Sequence, residues 1–475
     1  MSHATQQNML RGVLLIVIDC LRADHVSAYG YGRNTTPTID SLAEKGILWE
    51  QAHSVSSWTK PSVTSMLTGV YPSQHGAFEG IKRSKGRSIV TTDRLQSSQS
   101  TLAEEFSRNG WRCGAFINNA QLGEFTRLNR GFSSYAPSAG KADRLIGIFL
   151  EWLEADTHTP FFAYLHFLEA HWPYKPRRRH VKMFGGNRDT NYFRDFSARD
   201  YGKLRRAISQ GAASLSQEQL QQMIQMYDGA VRRLDGKLKI ILAMLNELGL
   251  RDQTAIIVTA DHGEEFLDHG RIGHGQSLYN ELTHVPLIMS LPDDAHGFES
   301  VGPIRDRNTV SLVNLPCTIL GMAGIESAIP GRDLRAPSET QELTLGELRV
   351  GWRYQQTATR SGWKLHRGYR FKPPNGKLSR DISPRRLVEE CPYDVSYELY
   401  NVHGDPSERD NQADDPQRQS VLRELEGDLD RWWGEVSRAT PLSREVTPSA
   451  PDQFDGDVEI DSTVVQRLHD LGYID

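Results

Sequence analysis

The sequence predicts an α/β fold, with a mostly parallel sheet between helices and a smaller α+β subdomain at the carboxyl end. Short apolar, β-branched runs recur along the larger part of the chain. Longer stretches with helical spacing of apolar residues separate them, which is typical of a parallel sheet covered on both faces. Past about residue 345 the pattern of apolar residues changes, and residues 362–365 and 397–400 are typical of antiparallel strands.

Four strands are predicted in the larger unit, because four runs are nearly all apolar, as strands buried on both faces should be. They are Leu14–Ile18, Ala115–Ile117, Phe161–His166 and Ala255–Thr259. The strongest helix is predicted from about Gln217 to Leu248, with Ser216 as its N-cap and Gly249 at its carboxyl end.

The domain organisation follows from these changes of pattern. We expect a catalytic domain over residues 1–345 and a smaller subdomain with an extended tail over residues 346–475. Within the catalytic domain, residues 175–206 are rich in Arg, Asp and Gly, which indicates a surface insertion with little core. Such a segment is either a lid over an active site or a solvated loop, and the sequence leaves both open.

Charge and hydropathy exclude several classes of protein. The net charge of −5 over 475 residues gives no reason to expect nucleic acid or an anionic membrane as a partner. The four cysteines form no CxxC pair, which argues against a zinc knuckle or a disulfide framework. The apolar run Val13–Ile18 leads straight into Asp19 without a cleavage site, so we predict a buried strand, no membrane span and a cytoplasmic location. The oligomeric state is not predicted.

Chemically useful side chains follow three of the predicted strands. Asp19 follows the first, His166 and His171 follow the third, and Asp261-His262 follows the fourth. Sites in open α/β sheets form at the carboxyl ends of strands, so these groups should meet. Two carboxylates and an imidazole suit Mn²⁺, Mg²⁺ or Zn²⁺. A single aspartate after a strand is also a common helix cap, and the adjacent pair on a tight turn is the more specific signal.

A hydroxyl residue lies close to a predicted helix start. Residues 57–69 are typical of a loop ending at Pro61, followed by a short helix that closes near Gly69. A hydroxyl just before a helix lies in the positive field of its N-terminus, where anions bind. Thr59 is therefore a candidate nucleophile activated by a metal ion. The alternative is a threonine that only caps the helix.

The order of short motifs along the chain is informative as well. They are Val17–His25, Thr36–Asp40, Trp58–Ser62, Leu67–Pro72, His171–Tyr174, Thr259–Glu264, Gly273–Gly275 and Glu398–Asn401. In this order, over nearly the whole chain, they resemble the sulfatase family of the alkaline phosphatase superfamily. The resemblance implies an alkaline phosphatase-like sandwich fold and a metal-dependent hydrolase of small anionic esters.

The resemblance also implies the metal ligands and the nucleophile. Asp19, Asp261 and His262 match the ligands, and Thr59 matches the nucleophile, which itself touches the metal. An imidazole ligand favours Mn²⁺ or Zn²⁺ over Ca²⁺ or Mg²⁺. One ion is expected.

Further residues are expected around the substrate. His171 matches a histidine that contacts the transferred group or its leaving oxygen, and His274 stands where many sulfatases have a lysine. Either histidine would act as acid and then base. Lys60, His166 and Asn118 are expected to contact the substrate.

A second ion is left open. Glu169, His171 and His274 would hold it, and hydrogen bonds around a bound anion are the alternative use of these groups.

Several positions depart from the sulfatase pattern. Thr59 replaces the Cys or Ser that becomes formylglycine, Val63 replaces the following Arg, and Cys20 replaces the second Asp of the usual pair. Asp261-His262 with a threonine looks more like the phosphoryl-transfer branches of the superfamily. We therefore expect hydrolysis of sulfate or phosphate-type esters, including phosphodiesters and phosphonates, with a preference for phosphoryl esters. A headgroup transferase and a non-catalytic protein that binds anionic esters are the alternatives.

Overall fold

The computed structural model describes residues 10–78, 93–137, 139–292, 304–336, 342–372 and 384–439, with the backbone of short strands at 82–83, 89–91 and 458–459. The helices are α1 Pro37–Ala43, α2 Thr59–Thr68, α3 Pro72–His75, α4 Leu102–Arg108, α5 Ala142–Glu154, α6 Arg178–Met183, α7 Ala198–Ser209, α8 Gln217–Glu247, α9 Asn280–Thr283, α10 Leu315–Met322, α11 Pro384–Glu390 and α12 Gln419–Ala439.

The strands follow the same chain order. They are β1 Gly12–Ile18, β2 Ile47–His53, β3 Lys82–Arg83, β4 Ile89–Thr91, β5 Arg112–Ile117, β6 Ser134–Pro137, β7 Phe161–Phe167, β8 Thr254–Thr259, β9 Glu265–Phe266, β10 Ile272–Gly273, β11 His284–Ser290, β12 Ile304–Ser311, β13 Thr344–Val350, β14 Arg353–Arg360, β15 Trp363–Phe371, β16 Tyr393–Asn401 and β17 Val458–Glu459.

An eight-stranded sheet forms the centre of the larger unit, in the order β12-β2-β11-β8-β1-β7-β5-β6. β1 runs parallel to both β7 and β8, and β5 runs parallel to β6 and β7. Only β11 is antiparallel to its neighbours β2 and β8 in this sheet. The predicted fold class, a mostly parallel sheet between helices, is confirmed.

The four predicted strands are confirmed as β1, β5, β7 and β8, with ends shifted by a few residues. Every residue of β1, β7 and β8 is buried, which explains why these runs lack polar alternation. In the register of the sheet, Val17 of β1 lies opposite His166 and Thr259. The three strands therefore end at the same level, and the residues that follow them are brought together.

Helix α8 is the strongest predicted helix and is confirmed over Gln217–Glu247. Ser216 Oγ accepts a hydrogen bond from the backbone N–H of Gln219, and the Gln219 side chain accepts one from the N–H of Ser216. This reciprocal cap fixes where the helix begins. At 31 residues α8 is long enough to cross a bilayer, but across the described ranges no helix is both long enough and apolar enough to do so.

A separate antiparallel sheet, β13-β14-β15-β16, forms the C-terminal subdomain together with α12. Leu365, Leu399, Leu425 and Leu429 are buried in its core. The predicted antiparallel strands are confirmed as parts of β15 and β16. The domain limits at residues 345 and 346 stay a prediction, and most of the expected tail lies outside the described residues.

The insertion at residues 175–206 has more core than the sequence suggested. Val181, Phe193 and Tyr201 are buried and belong to the main hydrophobic core. The Tyr201 ring stacks on Trp172, with ring centroids 4.2 Å apart and an interplanar angle of 13°. Most of the insertion is exposed or half-buried, and a few side chains anchor it to the core because aromatic rings bury large areas even in an Arg-rich segment.

Candidate active site

Asp19, Asp261 and His262 meet at the carboxyl edge of the central sheet, and all three are fully buried. His262 Nε2 lies 3.6 Å from Asp19 Oδ1 and 3.6 Å from Asp261 Oδ2. The parallel register of β1 and β8 brings these groups together, since both strands end at the same level. Burial, with the nearby Asp19 carboxylate, raises the pKa of Asp261.

The orientation of the His262 ring is fixed by its other nitrogen. Nδ1 lies 2.8 Å from the backbone oxygen of Gly263, which can only accept, so Nδ1 carries the proton. The lone pair of the neutral ring is therefore on Nε2, which faces the two carboxylates. Metal-binding histidines typically have this second hydrogen bond.

The residues fit a divalent metal ion. Asp261 Oδ2 is buried and has no hydrogen-bond partner among the described residues, while Oδ1 accepts the N–H of His262 at 3.0 Å. An unpartnered buried polar atom costs on the order of 1–3 kcal/mol, and more when it is charged. Two repelling carboxylates and one imidazole nitrogen are the donor set that a cation would satisfy.

Thr59 is directed into this cluster. Its Oγ1 lies 3.4 Å from Asp19 Oδ2 and 3.4 Å from His262 Nε2. Helix α2 begins at Thr59 itself, with Trp58 as the N-cap residue, so the expected loop up to Pro61 was wrong. Proline is tolerated throughout the first turn, where the N–H groups lack helical partners, and it therefore marks a helix start only approximately. Thr59 is not the N-cap, and the capping alternative loses its basis.

Asn119 was missed by sequence reasoning. Its side-chain nitrogen donates to Asp19 Oδ2 at 2.7 Å and to Thr59 Oγ1 at 3.2 Å. Asn118, the residue predicted to contact the substrate, is nearly buried, and its backbone N–H bonds to the His166 oxygen at 2.9 Å. Neighbouring residues beyond a strand face different directions, so the contacts of Asn119 do not test Asn118, whose contact with the substrate stays a prediction.

His166 and Lys60 were also predicted to contact the substrate, and both are fully buried. His166 Nε2 lies 3.3 Å from Asp19 Oδ2, and its Nδ1 lies 2.8 Å from the hydroxyl of Tyr164. Ligand atoms of Asp19, His166 and Asp261 all lie within 4.8 Å of one another. The structure thus places His166 against the carboxylates, where it would orient Asp19 or join the ligands.

His171 and His274 lie on the other side of His262. The His274 ring centroid is 4.5 Å from that of His262 and 5.0 Å from that of His171. Burial lowers the pKa of His274 to about 4, so the ring is neutral near pH 7. The two predicted acid–base histidines are therefore neighbours of each other and of the cluster of Asp19, Asp261 and His262.

Glu264 is a second residue that sequence reasoning missed, although it stands in the quoted run Thr259–Glu264. It is fully buried, and its two oxygens lie 3.1 Å from His274 Nδ1 and 3.2 Å from the Tyr201 hydroxyl, which donates to it. Arg205 donates to the backbone oxygen of His274. The insertion therefore forms one wall of the site through Tyr201 and Arg205.

The expected second metal triad needs correction. Glu169 Oε1 accepts the backbone N–H of Ala142 at the start of α5, a position that satisfies a helix N-terminus. Among the described residues, the possible ligand atoms of His171 and His274 lie within 4.8 Å of each other and of Cys20 Sγ, in a group that does not include Glu169.

Comparison with known proteins places most of the chain in one family. Residues 11–325 match the family model described as Sulfatase. Delta 4,5-hexuronate-2-O-sulfatase of Bacteroides thetaiotaomicron is 22% identical over 494 residues, covering 94% of this chain and 95% of that protein. The multifunctional alkaline phosphatase superfamily protein PehA of Trinickia caryophylli is 24% identical over 504 residues, covering 87% of this chain and 93% of that protein.

Solved structures show the same fold. The phosphonate monoester hydrolase of Agrobacterium radiobacter superposes with a TM-score of 0.67 at 18% identity, covering 90% of this chain and 96% of that one. The alkaline phosphatase-like sandwich implied by the resemblance is thus confirmed. Since the family match spans more than half of the chain, this protein belongs to the sulfatase family and is a hydrolase of sulfuric or phosphoric esters.

Proposed function

We propose that the protein hydrolyses small anionic esters through Thr59, beside a divalent metal ion held by Asp19, Asp261 and His262. The observation that carries the proposal is the position of Thr59 Oγ1, 3.4 Å from both Asp19 Oδ2 and His262 Nε2. A hydroxyl this close to a buried carboxylate can pass its proton to that carboxylate as it attacks, and Asp19 Oδ2 is the acceptor from which Thr59 later regains it. Asn119 holds the Thr59 oxygen in place from a third direction.

In the first step, Thr59 Oγ1 forms a bond to the phosphorus or sulfur while the ester oxygen leaves. His171 gives the leaving oxygen a proton and then takes one from the water that releases the acid from Thr59, since the His274 ring is neutral near pH 7 and has no such proton to give. Thr59 regains its proton, so one ester bond and one water are consumed in each cycle. When bound, the ion would lower the pKa of the hydroxyl and offset negative charge on the transferred group.

Thr59 also decides which bond we expect to be broken. A formylglycine hydrate can release sulfate by collapsing back to its aldehyde, but threonine has no such exit. A sulfo-threonine or phospho-threonine must be attacked by water, and cations stabilise the more highly charged phosphoryl transition state better. We therefore propose phosphoryl esters, namely phosphodiesters or phosphonates, as the preferred substrates. The similar proteins include both a sulfatase and a phosphonate monoester hydrolase.

The test is the ratio of kcat/KM for a 4-nitrophenyl phosphodiester or phosphonate to that for 4-nitrophenyl sulfate, measured with Mn²⁺ and with Zn²⁺. The phosphoryl ester should be turned over faster. A preference for sulfate of more than about tenfold, or roughly 1.4 kcal/mol of transition-state stabilisation, would contradict the proposal.

A further inference from the structure

A cysteine thiol faces the candidate active site, and the mechanism above does not use it. Cys20 follows Asp19 directly at the end of β1 and is fully buried. Its Sγ lies 3.1 Å from Asp19 Oδ1, to which the thiol donates, and 3.5 Å from His274 Nδ1. Sγ, a carboxylate oxygen of Asp19 and a ring nitrogen of His262 all lie within 4.8 Å of one another. The thiol therefore borders the same space as two of the proposed metal ligands.

The backbone of Cys20 is fixed in an unfavourable conformation. Its φ of 63° lies in the left-handed region, which a residue with a side chain rarely adopts. Tyr227 secures the turn, since its hydroxyl donates to the Cys20 oxygen at 2.8 Å and accepts the N–H of Arg22 at 3.0 Å. Such conformations persist where the surrounding structure fixes them, and they cluster at functional sites. The position of the thiol is thus built into the turn after β1.

The spacing of the donor atoms suits one small transition-metal ion. Around a tetrahedral zinc ion, whose bonds to N, O and S are about 2.0–2.3 Å long, neighbouring donor atoms are separated by roughly 3.3–3.7 Å. Cys20 Sγ lies 3.1 Å from Asp19 Oδ1. His262 Nε2 lies 3.6 Å from Asp19 Oδ1 and 3.6 Å from Asp261 Oδ2. The four side chains are thus close enough together for a single ion to bond to all of them.

Asp261 gives independent evidence that this space accepts a cation. Its Oδ2 is buried and has no hydrogen-bond partner among the described residues, although His262 Nε2 and the other donor atoms surround the same space. The thiol of Cys20 relieves little of this unbalanced charge, because an S–H group is only a weak hydrogen-bond donor. A cation would satisfy both carboxylates, and it would also give the buried sulfur a stronger partner than the Asp19 carboxylate.

We propose that Cys20 is a sulfur ligand of the ion that the two aspartates and His262 would hold, and that it makes the site prefer Zn²⁺ to Mn²⁺. The inference rests on the proposed function for the existence of the metal site. Only a thiolate binds a metal, so the thiol proton passes to the solvent as the bond between sulfur and metal forms. A thiolate is a soft donor, which favours Zn²⁺ over Mn²⁺, an ion better suited to carboxylate and water oxygens.

Spectroscopy of the metal-loaded protein tests the bond directly. The Co²⁺ form of the wild type should show sulfur-to-cobalt charge-transfer absorption in the near ultraviolet. X-ray absorption spectroscopy of the Zn²⁺ form should require one sulfur atom at about 2.3 Å from the metal. Cys20→Ser should lose both signals. Cys317→Ser, at a half-buried cysteine in α10, is the matched control and should keep them.

Metal affinities, measured by competition with chelators, test the preference. Cys20→Ser should weaken Zn²⁺ binding about 100-fold, at least as much as the loss of a partner outside the ligand shell usually does. Its affinity for Mn²⁺ should fall by less than about tenfold, because Mn²⁺ gains little from sulfur. Cys20→Asp puts an oxygen donor in the same place, so it should keep Mn²⁺ binding and lower the ratio of Zn²⁺ to Mn²⁺ affinity.

The possible failures of this inference and of the proposed function give different results. Bound metal without a sulfur signal, or equal losses of Zn²⁺ and Mn²⁺ affinity in Cys20→Ser, would overturn the inference and leave the proposed function standing. A sulfur signal that survives His262→Ala would overturn it as well, since the sulfur would then belong to an ion held elsewhere. A wild-type protein that binds no divalent metal would refute the metal site of the proposed function and this inference together.

Discussion

Two buried charge clusters in this protein differ in how completely they are satisfied. In the cluster of Asp19, Asp261 and His262, Asp261 Oδ2 has no hydrogen-bond partner among the described residues. At the contact with the C-terminal subdomain, Glu408 accepts from His366 at 2.7 Å, from Lys364 at 3.2 Å and from the backbone N–H of Asn280 at 2.5 Å. A satisfied cluster holds two parts of the fold together, whereas an unsatisfied one is arranged for something that binds.

Lys364 shows how complete the second cluster is. Its buried ammonium also donates to the Leu278 oxygen at 2.7 Å and to Asn280 Oδ1 at 3.0 Å. These contacts offset the free-energy cost of removing the charges of Lys364 and Glu408 from water. His269, close in sequence to Asp261-His262, belongs to this contact too, since its two nitrogens bond to Glu281 and to the Glu408 backbone.

The largest expected effect is at Thr59. Thr59→Ala should reduce kcat/KM by about 10³-fold or more, because the attacking oxygen is lost, with unchanged circular dichroism and thermal midpoint. Thr59→Ser should keep measurable activity, since the hydroxyl survives. Normal turnover by Thr59→Ala would make water the attacking group.

The second largest expected effect is on metal binding, which should depend on the Asp19, Asp261 and His262 cluster and not on the Glu408 cluster. Chelation should abolish activity, and Mn²⁺ or Zn²⁺ should restore it better than Ca²⁺. His262→Ala should weaken metal affinity by more than about 100-fold, beyond the usual cost of losing an outer partner. His269→Ala is the matched control and should leave affinity nearly unchanged. Full activity in excess chelator, with no metal in the purified protein, would remove the basis for the metal cluster.

In the metal-free protein, a substitution in the Glu408 cluster should lower the free energy of unfolding more than a substitution at Asp261. Glu408→Gln leaves the buried Lys364 without its charge partner and should cost about 3–5 kcal/mol in the free energy of unfolding. Asp261→Asn replaces a carboxylate oxygen that has no hydrogen-bond partner among the described residues and removes a charge that repels Asp19, so its stability should stay within about 1 kcal/mol of wild type. Urea unfolding of the two variants checks this. Similar losses in both would show that the clusters do not differ in the way described.

The smallest expected effect concerns pH. Burial acts to raise the pKa of Glu408, but Lys364 and His366 outweigh it and lower the pKa from 4.5 to about 2. Stability from this group is complete above the unfolded pKa and is lost as pH falls through the folded pKa, so the loss should occur between about 4.5 and 2. The free energy of unfolding should fall by about 3 kcal/mol over this range, which a decrease in the urea midpoint would show. Glu408→Gln should flatten that fall, whereas Glu424→Gln at an exposed pair should not.

Four of the eight strands of the central sheet were predicted, and the clearest of them bury both faces. β1, β7 and β8 are all-apolar runs followed directly by polar residues, so both the strands and the residues after them could be identified. Helix α8 was equally clear, since its apolar spacing and its cap agree.

Contacts that depend on direction or on tertiary packing were harder to predict. Nothing in the adjacent pair Asn118-Asn119 indicates which side chain faces Thr59. Glu264 reaches His274 because the chain turns after β8, and Tyr201 joins them from a segment with few apolar residues. Such contacts are set by the fold around a loop, and local sequence patterns do not encode them.

The burial of α2 bears on how this enzyme can change. All ten residues of α2 are buried, so the helix that carries Thr59 has little freedom to shift without disturbing the core. The exposed cations of the insertion carry no such constraint. Libraries that vary the exposed Lys175 and Arg177 should therefore cost little in folding, whereas diversity introduced into α2 should yield mostly unfolded chains.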